Sequence, residues 1–344
     1  MAKATLDFFI PEDRRQALLK GETLPIHSHG AVLFADLSGF TKLTSDLTAQ
    51  LGPQRGAEEL TRQLDPIYTE LIRTIHNYRG SVIDISGDGL TCWFDSDNGY
   101  RATSCAVLMQ RIMKRYEKIS VSSIYSFSLG IKIAISVGPV QRFLVGDPNI
   151  QLLEALAGRE LLRVVKAQEQ INRGEIAIYD EVVQEIKEKL QNISWMQTED
   201  GEKFAVIEDL TELAPPLPWP STQNLKIDIA QKWVFRPIYE RIESGKIEFL
   251  TELRQAVPMF VKFSGIDYDQ DELAEQKLDQ FIRCVQDILS RYEGYLCNLT
   301  IGDKGSNLYI SFGAPIAHED SINRALAAAL RIKSEVDELS FIEE

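Results

Sequence analysis

The first strongly apolar run of the chain, GAVLFADL (30–37), has non-polar residues at consecutive positions and so predicts a strand buried on both faces. A polar stretch, read as a loop, separates it from GAEELTRQLDPIYTELIRTIHNYRG (56–80). There Leu60, Leu64, Ile67, Tyr68, Leu71, Ile72 and Ile75 recur at helical spacing, and Pro66 marks a point where the helix kinks or restarts. SVIDISGDGLTCWF (81–94) gives two short β-rich runs around Gly87-Asp88-Gly89, a hairpin signal because Asp-Gly turns suit strand twist. A second amphipathic helix covers about 99–118, followed by two long strands, SLGIKIAISVG and PVQRFLVGD. A helix near 159–172, the strand EIAIYD, a helix to about 190 and the strand KFAVIED complete the series. The order β-α-β-β-α-β-β-α-β predicts an α+β fold, a ferredoxin-like antiparallel sheet with helices and additions.

The pattern then repeats. VPMFVKFSGID (257–267) lines up with AVLFADLSGFT (31–41), and Lys262 falls under Asp36. LAEQKLDQFIRCVQDILSRYEG repeats the helix ending in NYRG, LCNLTIGDKGSNLYISFG the hairpin with a longer turn, and SINRALAAALRIKSE the helix with ATSCAVLMQRI. The expected organisation is an extension over 1–30, a first domain over 31–210, a proline-containing linker and helix over 211–250, and the front part of a second copy over 251–344. LAPPLPWPSTQN (213–224) is the linker proper. A half-copy closes its core poorly, so further C-terminal domains are expected in the natural protein.

Composition narrows the classes. At 344 residues, 44% hydrophobic and 26% charged, the chain is globular and long enough for two domains. The net charge of −14 argues against nucleic acid, because no basic stripe is present to displace counterions. No apolar run reaches membrane-spanning length and no signal-peptide pattern opens the chain. Cys92, Cys105, Cys284 and Cys297 stand alone in apolar segments and read as reduced core residues of a cytoplasmic protein. An anionic substrate would need cations from metal or from local Lys and Arg.

Two acids are the candidate chemistry. Asp36 closes a strand, and Ser38-Gly39 after it lets backbone N–H groups approach an anion. Asp88 sits on a rigid turn between glycines. Alone, Asp36 suits an Asx-turn and Asp88 an ordinary hairpin turn. If the strands are neighbours, both carboxylates face one spot beside a phosphate cradle, the setting in which Mg²⁺ is held by one or two carboxylates plus substrate phosphates. Two such ions could activate an attacking oxygen and stabilise the leaving one.

FADLSGFT followed by SGDGL resembles the catalytic domain of class III nucleotidyl cyclases, and the degenerate repeat is most similar to the tandem-domain, bicarbonate-responsive soluble adenylyl cyclases. The likeness spans about 28–210 and 250–344. It implies the class III cyclase fold and conversion of ATP into 3′,5′-cyclic AMP and pyrophosphate with two Mg²⁺ or Mn²⁺ ions, in intracellular signalling. The metal ligands would be Asp36, Asp88 and the Leu37 carbonyl, with Ser38, Gly39, Phe40 and Thr41 on the triphosphate and Lys132 touching phosphate. Intramolecular pairing of the two copies is implied, and with Lys262 where the second copy would need its first metal acid one site of the pair is catalytic.

Departures temper the likeness. The adenine-reading lysine falls on Asn298, whose amide also suits guanine, so GTP stays open. Asp84 replaces a lysine of the regulatory bicarbonate site, and an expected arginine falls on Val165, near Arg163, so weak or no bicarbonate stimulation is expected. In the first copy the asparagine and arginine used against the transition state fall on Leu162 and Lys166, and in the second copy their expected positions fall beyond Glu344. A nucleotide-binding regulatory module without turnover is therefore the alternative. A diguanylate cyclase would need a Gly-Gly-acid-acid-Phe turn, which is absent.

Overall fold

A computed structural model describes residues 6–117, 119–120, 126–221, 223–245, 255–301, 305–336 and 339–342. The chain divides into two compact units: His27–Val140 with Arg159–Ser221, and Met1–Ile26 with Gln141–Gly158 and Thr222–Glu344. The stretch 141–158, expected within the first domain, thus groups with the second unit, as does the N-terminal segment.

The first unit runs β1 (His27–Ser38), α1 (Phe40–Asn77), β2 (Ser81–Ser86), β3 (Gly89–Asp95), α2 (Tyr100–Met113) and β4 (Gly130–Val145, of which the part to Val140 belongs here). It continues with α3 (Arg159–Gln170), β5 (Ile176–Tyr179), α4 (Asp180–Ile186), β6 (Ser194–Gln197) and β7 (Lys203–Ile207). The sheet order is β6-β7-β5-β4-β1-β3-β2, with the ferredoxin-like order β4-β1-β3-β2 at its heart. β1 pairs antiparallel with β3, from Gly30 opposite Asp95 to Asp36 opposite Gly89. Leu33, Leu37, Leu90 and Phe94 join Ile67, Leu71 and Ile75 of α1 and Ile131, Ile133 and Ile135 of β4 in one buried core. Each large side chain buried there contributes about 1.5–3 kcal/mol, which fixes the strand ends that carry the acids.

Four elements differ from the sequence reading. The polar stretch after β1 is helical from Phe40, because Leu43 and Leu47 supply a buried stripe of their own. The break in this long helix falls at Gly52 (φ 77°, ψ 166°), just before Pro53, and not at Pro66. SLGIKIAISVG and PVQRFLVGD form one strand, β4, since the exposed Pro139 needs no ladder donor there. The partner of its far end is an unforeseen strand, Leu153–Ala157, and SWMQ forms the equally unforeseen β6.

The proline-rich linker packs on the first unit: Trp219 Nε1 donates to the Gly80 carbonyl at 2.8 Å, and the Arg79 guanidinium lies over its ring. In the second unit β8 (Val257–Phe263), α5 (Ala274–Tyr292), β9 (Gly294–Thr300), β10 (Ser306–Phe312) and α6 (Ser321–Val336) repeat the order of β1 to α2, and the sheet order β8-β10-β9 repeats β1-β3-β2. The longer turn expected in this second hairpin, at 302–304, and residues 246–250 of the expected linker helix lie outside the described residues. Cys92 and Cys105 are buried as expected, whereas Cys297 is exposed beside the bulge of β9; all four cysteines are free.

Candidate active site

Asp36 stands near the end of β1 because the pairing with β3 carries it opposite Gly89, next to Asp88 on the β2–β3 turn. The Leu37 N–H donates to the Asp88 carbonyl at 3.0 Å, so main chain ties the two acidic positions together. Gly87, at φ 62°, makes that turn. Burial pushes the Asp36 carboxyl above its ordinary range, and the negative charge of Asp88 adds to the shift. Lys132 on β4 and a hydrogen bond from Gln168 oppose it. The two aspartates and Lys132 thus act on one another within a single unit.

The chain leaves Asp36 through Gly39, at φ 95°, directly into α1. A Cβ at this glycine would lie 2.5 Å from the Ser128 carbonyl oxygen, so the residue answers to a close approach as well as to its backbone angle. The N–H groups of the first helical turn, Phe40 and Thr41 among them, have no acceptor inside a helix and favour an anion. Ser38 and Thr41 stand at the same corner, while Phe40 packs back against the core.

The donor set suits a hard divalent cation: two carboxylates and a peptide carbonyl, Leu37, on rigid strand ends. Among the described residues no cluster of three or more His, Cys, Asp or Glu side chains forms a self-sufficient metal cage.

Two residues escaped the sequence reading. Gln168, on α3 and 8% exposed, donates from Nε2 to Asp36 Oδ2 at 2.9 Å. Its mark in the sequence is a polar residue beside Val164 and Ala167 on the buried side of its helix, just before the buried Ile171. Tyr68, in the sequence only one of the residues at helical spacing, has a buried hydroxyl with no hydrogen-bond partner among the described residues; burial raises its pKa, and the charges of Asp88 and Asp36 add to the shift.

Other candidates lie elsewhere. Lys166 pairs with Asp200 at 2.6 Å. Arg163 is enclosed by Glu160, Glu181 and Glu202 at 3.0, 3.0 and 2.9 Å, and lies 4.0 Å over the Tyr179 ring. Asp84 is half-buried at a bulge of β2. Asn298 and Lys262 belong to the second unit, on β9 and β8.

The first unit has the fold expected of a class III nucleotidyl cyclase catalytic domain. Residues 25–194 match the family described as the adenylate and guanylate cyclase catalytic domain, and this stretch is a domain of that family. It is similar to adenylate cyclase type 10 of Homo sapiens, 20% identical over 330 residues, and to the Oryctolagus cuniculus protein of the same name, 19% identical over 333. Each match covers 88% of this chain and 20% of the relative, so the chain spans about a fifth of the length of these relatives. Among solved structures, a bacterial light-regulated adenylyl cyclase aligns with TM-score 0.49 at 16% identity, over 60% of this chain and 61% of that one. The adenylyl cyclase CyaB of P. aeruginosa aligns with TM-score 0.44 at 20% identity, over 58% and 98%. Among the described residues no helix is long and apolar enough to cross a membrane.

Proposed function

We propose that the unit carrying Asp36 and Asp88 converts ATP into 3′,5′-cyclic AMP and pyrophosphate in the presence of Mg²⁺ or Mn²⁺. The observation that carries this reading is the juxtaposition of Asp36 and Asp88 by the β1–β3 register, with the N-terminus of α1 opening at the same corner. ATP is preferred to GTP because the curated relatives matched over 88% of this chain are named adenylate cyclases.

Asp36, Asp88 and the Leu37 carbonyl would hold the cations. When bound, divalent cations lower the pKa of the ribose 3′-hydroxyl and neutralise phosphate charge. The first-turn N–H groups of α1 and the residues Ser38 to Thr41 orient the phosphate chain, and Lys132 adds a fixed positive charge beside Asp36. The ribose oxygen forms its bond to the α-phosphorus as the bond from that phosphorus to the bridging oxygen breaks, releasing pyrophosphate. The chain contributes position and preorganised charge.

A nucleotide-binding module without turnover is favoured by Asp84 and Asn298, which stand where the resemblance expects lysines. One assay separates the readings. The full chain is incubated with ATP and Mn²⁺, and cyclic AMP and pyrophosphate are quantified, with GTP in parallel. Product that falls at least about a hundredfold in Asp36→Ala supports the cyclase. Saturable ATP binding without product favours the module, and cyclic GMP alone reverses the base preference.

A further inference from the structure

We propose that Gln168 is a positioning residue that fixes the Asp36 carboxylate for cation binding; the inference deepens the cyclase reading and rests on it. The amide is buried on the core-facing side of α3 beside the apolar Val164 and Ala167, with buried Ile171 just past the end of the helix. A buried amide costs stability unless it is hydrogen-bonded. Its Nε2 donates to Asp36 Oδ2 at 2.9 Å, and α3 packs along β1, so the bond joins two rigid elements.

The choice of an amide follows from the charges present. The bond fixes one oxygen of Asp36, Oδ2, and leaves Oδ1 for a cation to bind. A glutamate at 168 would add a third negative charge beside Asp36 and Asp88, whose mutual effect already raises the Asp36 carboxyl. An arginine or lysine would compete with the cation for the same oxygens. A neutral donor favours the ionised carboxylate and does neither. Residues that hold a ligating carboxylate in this way typically contribute ten- to a hundredfold in metal affinity. Helix α3 therefore serves the metal centre of its own unit through Gln168, even though Leu162 and Lys166 give it no polar role there.

The test is Mn²⁺ binding to the full chain, followed by the electron paramagnetic resonance signal of the free ion, with no turnover required. Gln168→Met keeps the length and removes the donor; it is expected to weaken Mn²⁺ binding about ten- to a hundredfold at an unchanged melting temperature. In turnover the same variant is expected to raise the metal concentration for half-maximal rate far more than the KM for ATP. Should Gln168→Met unfold, Gln168→Asn, an amide one carbon short, puts the same question. Asp36→Ala separates the two levels of inference. If it abolishes binding while the Gln168 variants stay within about twofold of wild type, the role of Gln168 is overturned and the metal centre stands. If Asp36→Ala itself binds Mn²⁺ as wild type does, the metal-centre reading fails.

Discussion

At the scale of the residue, Asp36 holds a charge in a place that burial and Asp88 both make unfavourable. Its folded pKa is raised above the unfolded value of 3.8. The sign follows from linkage: above the folded pKa the ionised group subtracts stability, and below the unfolded pKa that loss disappears. The metal-free chain should therefore become more stable at neutral pH on Asp36→Asn, by a few degrees in melting temperature. Asn keeps an oxygen to accept from Gln168. The gain should vanish as pH falls below the usual carboxylate range, and melting curves in a chelator read both effects. An unchanged or lower melting temperature at neutral pH would mean that the carboxylate carries no electrostatic strain. Stability given up at a site in exchange for ligand binding is the ordinary mark of function.

At the scale of the element, the turn from β1 into α1 depends on Gly39. Gly39→Ala meets a φ of 95° and the Ser128 carbonyl at 2.5 Å, so about 1–3 kcal/mol of destabilisation is expected from urea unfolding. Retained stability would show that this corner is soft and unable to position phosphate. Elements of this kind were legible because local chemistry and global role coincide: a strand apolar on both faces, then small residues, then Gly-Asp-Gly in a hairpin. The helix after Phe40 was not legible, since Leu43 and Leu47 are sparse among Thr, Ser and Gln and gain their meaning from the core they meet. β4 was split in two because Gly138-Pro139 punctuates a sequence, whereas in the sheet Pro139 faces outward. Gln168 was hidden for a related reason. A polar residue in an apolar stripe announces a partner without naming it, and the partner lies 132 positions away.

At the scale of the whole molecule, a net charge of −14 shapes what can regulate the chain. An anionic regulator must cross a repulsive field and then find unspent cations. The two places where the family resemblance would put those cations offer none. Asp84 brings a negative charge, and Arg163, the arginine close to the other position, is enclosed by three carboxylates, a serine hydroxyl and an aromatic face. Three carboxylates already outnumber the single guanidinium charge, so a small anion at this place would meet net negative charge and would have to displace a bonded partner. Bicarbonate added at fixed pH and matched ionic strength should therefore leave cyclic nucleotide production unchanged across the physiological range. A saturable, dose-dependent rise would require an anion site other than this pair, and Arg163→Met would then separate the cases. Stimulation that survives in that variant, with folding verified by its melting curve, places the anion elsewhere; stimulation that disappears means the arginine releases its carboxylates when the anion binds.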